Sequence, residues 1–320
     1  MPADLRVEPV GSVSSRSRTG LETHTQRPAR ANRHRPSERN DWVGYAFVAL
    51  FTLPFFLFNI LPILFGIYLS FTKWGVFGAP QWVGLKNYTD AFHDQFVRIA
   101  FRNVVLYGAI IVPGVTVLGF ICAIYVNRRW PLSSLARLCF FSPYVVSATV
   151  IGLVWVWLFD TQFGLINHYL GHVGIGNIPW LTSTDWSLVG VSIASIWWDL
   201  GLAFILFLAA LQDLPRDLYD AADVDGASGW QKLRLITLPQ MKPVISMVVT
   251  LQLISTLRIF SQIYVMTDGG PASSSSSVIF YIYTMAIRRG LFGYAAAISM
   301  MLFAVILVVT LIQRQLIRER

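Results

Sequence analysis

The chain has 320 residues, 55% of them hydrophobic and only 13% charged, with 25 Lys and Arg against 17 Asp and Glu for a net charge of +8. Soluble globular domains carry about a quarter charged residues, so this composition excludes a soluble fold and points to lipid. The positive excess is not the footprint of a nucleic-acid partner, because the basic N-terminal tail also holds Asp4, Glu8, Glu22, Glu38 and Asp41 and lacks interleaved aromatics.

Residues 1–41, rich in Ser, Arg, Thr and Pro, are expected to form a disordered basic tail whose arginines orient the chain and meet anionic membrane lipid. The remainder, 42–320, reads as an all-α, polytopic membrane domain. A helix needs about 20 apolar residues to cross the hydrocarbon core. Six runs qualify, at 44–71, 103–127, 138–159, 188–211, 244–266 and 293–313. The first outlasts a signal-peptide core of about 7 to 15 residues, so it is expected to stay attached. Pro54 and Pro62 within it predict a kink or tilt. The glycine-rich loop at 160–187 predicts short irregular turns on the outer face. After the fifth run, Gly269, Gly270, Pro271 and the serines at 273–277 predict a flexible turn, followed by a helix at 278–287 too short to span.

Cytoplasmic loops hold more Lys and Arg than outer loops do. With both termini cytoplasmic, 18 basic residues fall inside and 6 outside, while Arg258 lies within the fifth run. The reverse orientation inverts that asymmetry.

The loop at 213–243 is longer than a connection between neighbouring helices needs, so it has structure of its own. Leu214, Leu218, Ala221, Ala222 and Asp225 follow helical spacing, with Asp213 available as N-cap, Pro215 in the first turn and Gly226 as the stop. A second short helix is expected from Ser228 to Pro239. Read from the residues alone, this helix–turn–helix is a docking element or a helix satisfied at the membrane face.

The run Tyr219, Asp220, Ala221, Ala222, Asp223, Val224, Asp225, Gly226, Ala227, then Ile236, Thr237, Leu238, Pro239, resembles the coupling loop of binding-protein-dependent ABC importer permeases. That motif opens with Glu, where this chain has Asp220, one methylene shorter. The resemblance extends over most of 44–313, through Ser142, Pro143, Tyr144 and Thr267 to Pro271. The latter stretch is similar to the first of two permease types in maltose-type sugar and glycerol-phosphate importers. Ser261 stands where many relatives carry Asp. The resemblance implies a second homologous permease, two ATPase subunits gripping the coupling loops, and an extracytoplasmic solute-binding protein. It implies that Tyr219, Asp220, Ala221, Ala222, Asp225, Gly226, Ala227, Ile236, Leu238 and Pro239 serve ATPase coupling. ATP and Mg are then cofactors of the partner ATPases; none of Lys73, Lys86, Lys232 and Lys242 follows the glycine that a phosphate-cradling P-loop requires.

Asp199 in the fourth run and Arg258 in the fifth differ by only about 3 Å in expected depth, at 1.5 Å per residue, and a charge there needs a partner or water. Their pair either locks two helices or lines the solute path. Trp198, Gln252, Ser255 and Gln262 supply further stacking and hydrogen-bonding groups for a polyhydroxylated solute, with Trp197 and Tyr264 as other candidate stacking rings. His168 and His172 stand four apart without a third metal ligand nearby. No catalytic constellation is evident in the spans. An ion-gradient-driven secondary transporter is the rival reading, with Asp199 as the acid available for coupling.

Overall fold

The computed structural model describes residues 41–127 and 132–318. Most of the expected disordered tail, and Arg128, Arg129 and Arg320 among the orienting residues, lie outside the described residues. The chain divides into a unit ending at Pro54 and a second comprising Phe55–Arg320. Of the first unit, the described residues belong to helix α1 (Asp41–Phe55), which exposes Trp42, Tyr45 and Phe47.

The second unit holds α2 (Leu61–Ser70), α3 (Lys86–His93), α4 (Gln95–Asn127), α5 (Ser133–Val145), α6 (Ala148–Leu158), α7 (Leu165–His172), α8 (Ser187–Gln212), α9 (Arg216–Val224), α10 (Gly229–Lys232), α11 (Leu238–Leu257), α12 (Ser261–Met266), α13 (Val278–Tyr283) and α14 (Phe292–Arg318). It is not purely helical. Strands β1 (Thr72–Lys73) and β2 (Gln81–Trp82) pair antiparallel, with Thr72 opposite Trp82. Two residues per strand are too few to show an alternating pattern in the sequence.

Among the described residues, four helical runs are long and apolar enough to cross a membrane: Gly44–Ser70, Gln95–Asn127, Ser187–Gln212 and Phe292–Gln313. The other two expected spans are not straight helices. The third bends by 103° between α5 and α6. Val146 and Ser147 adopt extended backbone there, and the Ser147 hydroxyl accepts from the Val150 N–H to start the new helix. The fifth ends as α11 at Leu257 and resumes as α12 at Ser261, with Phe260 at φ −142° and ψ −57° between them.

Wide π-helical turns at Phe56–Ile60 and Leu233–Thr237 each end two residues before a proline, Pro62 and Pro239. A proline ring crowds the carbonyl four residues back, and a widened turn relieves it. This corrects the expected stop at Pro239: backbone from α10 runs through the wide turn into α11 without a break.

The larger core joins α4 to α8 through Tyr107, Ile111, Val115, Phe204 and Phe207. Gly119 lets these helices meet, since a Cβ there would lie 3.0 Å from that of Ala203 and 3.3 Å from the Phe204 nitrogen. A second core gathers Val97, Val104, Tyr281 and Ile298 from α4, α13 and α14, with Met285 from the wide turn at Thr284–Arg288.

The serine run is the largest departure from expectation. Ser275, Ser276 and Ser277 are 0%, 4% and 0% exposed, not part of a flexible surface turn. Asn103 donates to the carbonyls of Ser273 and Ser276, both at 3.0 Å, and the Tyr107 hydroxyl donates to that of Ser275 at 2.9 Å. Short hydroxyl side chains satisfy this backbone from within: Ser275 Oγ donates to the Gly270 carbonyl at 2.7 Å and lies 2.8 Å from Thr267 Oγ1, within hydrogen-bonding reach of that hydroxyl. The loop at 160–187 is likewise ordered around one amide. Asn167, 3% exposed, donates to the Ile178 carbonyl and accepts from the Ile178 N–H and the Trp180 indole.

Candidate functional site

The two broken helices face one cavity of about 440 Å³. Tyr144 and Ala148 flank the first break, and Arg258 to Gln262 run through the second. In lipid, backbone that leaves the helical pattern is tolerated where protein or a water-filled space surrounds it. Here one carbonyl at each break is held by a side chain of another element. Trp198 Nε1 donates to the Val146 carbonyl at 2.9 Å, and Ser277 Oγ donates to that of Ile259 at 2.7 Å.

Trp198, Asp199, Gln252, Ser255, Arg258 and Gln262 all line this cavity. Trp197 and Tyr264 do not. The Trp197 ring packs edge-on against Trp155, centroids 5.9 Å apart, and Tyr264 stacks on Phe260 beneath the Arg288 guanidinium. Arg288 is itself fixed by Asp268, at 2.5 and 3.0 Å.

Asp199 and Arg258 share the cavity without forming an ion pair; among the described residues the ion pairs are Lys232 with Asp223 and Arg288 with Asp268. Asp199 is 7% exposed, whereas Arg258 presents an open guanidinium. Gln252 is 2% exposed, and its Oε1 has no hydrogen-bond partner. A buried amide oxygen left without a donor costs roughly 1–3 kcal/mol, which a hydroxyl-bearing solute or an ordered water would recover. Tyr144, Ser195 and Phe260 also line the cavity and escaped the sequence reading, because aromatic and small residues inside apolar runs ordinarily pack.

The predicted coupling residues occupy a pinned hairpin. Tyr219, Asp220, Ala221 and Ala222 lie in α9, and Asp225 caps its C-terminus. Gly226 turns the chain at φ +74°, and the Ala227 N–H returns to the Ala222 carbonyl at 2.9 Å. Ser228 and Gln231 then form a reciprocal capping box at α10. The Tyr219 and Thr237 hydroxyls bond at 2.8 Å, and Lys232 pairs with Asp223, so the two arms are tied. Ile236 falls in the wide turn, and Leu238 and Pro239 open α11. Asp213 is not the N-cap of α9. It ends α8, and Pro215 takes the cap position without a side-chain bond.

Between α3 and α4, Asp94 accepts from the Tyr281 hydroxyl at 2.6 Å and the Tyr294 hydroxyl at 2.8 Å, joining three distant elements. Partial burial alone would raise its pKa, but these phenols and the backbone N–H groups of Phe96 and Val97 outweigh it and hold the carboxyl below its usual range. A group depressed in the folded state stabilises above its unfolded pKa, about 3.9, and that contribution disappears as pH falls through the folded value. Thermal midpoints should therefore be level above about pH 5 and fall below about pH 4. Asp94→Asn should lower the plateau and flatten that acid limb. An unchanged limb would remove Asp94 as its origin.

Membrane-length helices, a polar cavity between two broken ones, and a tied hairpin beyond the spans define a membrane subunit built to pass a solute. The chain belongs to the family described as binding-protein-dependent transport system inner membrane component, whose profile matches residues 115–320. It is 32% identical over 282 residues to the probable ABC transporter permease protein YurN of Bacillus subtilis, covering 86% of this chain and 96% of that protein. It is 32% identical over 270 residues to the sulfoquinovosyl glycerol transport system permease protein SmoG of Agrobacterium fabrum, covering 82% and 86%. A bacterial ABC transporter involved in the import of the acidic polysaccharide alginate superposes with a TM-score of 0.78 at 22% identity, over 88% of this chain and 96% of that one. This chain is thus an ABC transporter permease, a multi-pass membrane transport component and not an enzyme.

Proposed function

We propose that this permease carries a sugar, or a related polyol or glycerophosphodiester, inward through the cavity between its broken helices. The observation that carries this reading is the convergence of Trp198, Asp199, Gln252, Ser255, Arg258 and Gln262 on that single cavity. Stacking ring, amides, hydroxyl and both charges suit a hydroxyl-rich solute. The relative SmoG is named for sulfoquinovosyl glycerol transport, and the alginate transporter is described with a pentasaccharide-bound periplasmic protein.

In this reading six spans place both termini in the cytoplasm, with α5 and α6 together as the third and α11 and α12 as the fifth. A second homologous permease completes the pathway, and a solute-binding protein delivers cargo outside. Two ATPase subunits hold ATP and Mg and grip the hairpin of α9 and α10. Their closure moves α9, and the wide turn into α11 transmits that motion to Gln252, Ser255 and Arg258.

Proteoliposomes containing both permeases, the ATPase and the loaded binding protein should take up the solute that the binding protein retains. Uptake should cease when ATP or any one component is withheld. Uptake driven by an ion gradient with the ATPase absent would overturn the proposal.

A further inference from the structure

A second cavity, larger than the first at about 1510 Å³, lies between the hairpin and the adjoining ends of α4, α5 and α8. We propose that it seats the phosphate headgroup of an anionic phospholipid. Arg137 of α5 and Arg216 of α9 both line it and both are exposed, and neither side chain makes a hydrogen bond or ion pair with another described residue. Lys232, also in the lining, is already matched by Asp223, and Asp220 is the one acid there. Two free guanidinium forks against one carboxylate leave the lining positive, and their planar donor geometry suits phosphate oxygens.

The same cavity offers a place for the rest of a lipid. Ile124 and Leu211, near the ends of two spans, form part of its wall. Next to Arg137 on α5, Leu138 is 64% exposed and Cys139 is exposed, a path for acyl chains along the outside of the helix. Trp230 lines the cavity while 68% exposed, and such amphipathic rings favour the headgroup level.

An ATPase docking on the hairpin meets a different surface. Arg216, Tyr219 and Asp220, at three- and four-residue spacing, form the face of α9 turned to the cavity. Leu218, 41% exposed, and Ala221, also exposed, lie on the face opposite and are absent from the lining. One helix thus presents its cavity face to lipid phosphate and its far face to a protein, which links the coupling element to the charge of the inner leaflet. The inference takes the cytoplasmic placement of the hairpin from the proposed topology.

The complex of this chain with its partner subunits, purified in detergent, can be titrated with phosphatidylglycerol or phosphatidylcholine and weighed intact. Phosphatidylglycerol should be retained roughly tenfold better, since each basic group near an anionic headgroup contributes about a fivefold preference or less. R137Q/R216Q should abolish the preference, and R137K/R216K should keep most of it. No preference in the unaltered complex, or one that survives in an assembled R137Q/R216Q complex, overturns the proposal. Displacement of the lipid by equimolar inorganic phosphate would assign a free-anion site instead. Protection of Ser133→Cys from maleimide by the ATPase, with no protection by lipid, would assign the cavity to the protein partner. Should R137Q/R216Q fail to assemble, the two-lipid comparison and R137K/R216K decide. Lipid retention is read without transport, so this inference and the importer proposal fail separately.

Discussion

Ala221→Arg is expected to leave the permease inserted and assembled while ATP-dependent uptake falls to the level of empty vesicles. Ala221 is exposed on α9, on the side away from the cavity beneath the hairpin. A surface substitution of this kind changes stability by about 0.5 kcal/mol or less. The long cationic side chain instead obstructs close approach by another protein and neutralises part of the acidic character contributed by Asp217 and Asp225, four residues to either side. Uptake and membrane abundance should be measured on the same vesicles. Normal uptake by the variant would sink the assignment of this face to the ATPase, and a fall in abundance alone would move the effect to folding.

The second large effect concerns the buried serine run. Asn103→Leu combined with Tyr107→Phe removes three hydrogen bonds that fix the carbonyls of Ser273, Ser275 and Ser276. Each buried group left unpaired costs roughly 1–3 kcal/mol, although polar pairs between membrane helices average nearer 0.6. The losses share one segment and are not additive, so about 2–4 kcal/mol in total is expected. Thermal unfolding in detergent should shift down by several degrees. Ser276→Cys, introduced at a position 4% exposed, should react slowly with maleimide in the parent and faster in the double variant. Equal labelling rates would show that the three bonds do not hold the segment.

The two predictions also mark where the sequence was readable. The α9 hairpin was legible because its signals are local: Gly226 supplies a left-handed turn, and Ser228 with Gln231 supplies a cap within four residues. The serine run misled because Gly, Pro and Ser favour loops locally, while the partners that bury it, Asn103 and Tyr107, lie about 170 residues earlier. The breaks at Val146 and at Arg258–Phe260 were illegible for a related reason. Their residues are ordinary span residues, and what stabilises each break is a donor from elsewhere, Trp198 or Ser277. Polar candidates for the cavity stood out against apolar neighbours, so Asp199, Arg258, Gln252 and Gln262 were visible. Tyr144 and Phe260 were not, since nothing in an aromatic residue distinguishes lining from packing. The two-residue strands carry no periodic signal at all.

The clamps at the two breaks bear on how the cavity can change shape. Each interrupted helix has its loose carbonyl tethered by a single side chain rooted in a neighbour: Trp198 belongs to α8, and Ser277 immediately precedes α13. Neither half-helix can swing alone without surrendering its tether or pulling the neighbour along. Reshaping the chamber thus either breaks these two discrete bonds or carries α8 and the segment before α13 along with the half-helices, and is not the gradual softening of two long rods.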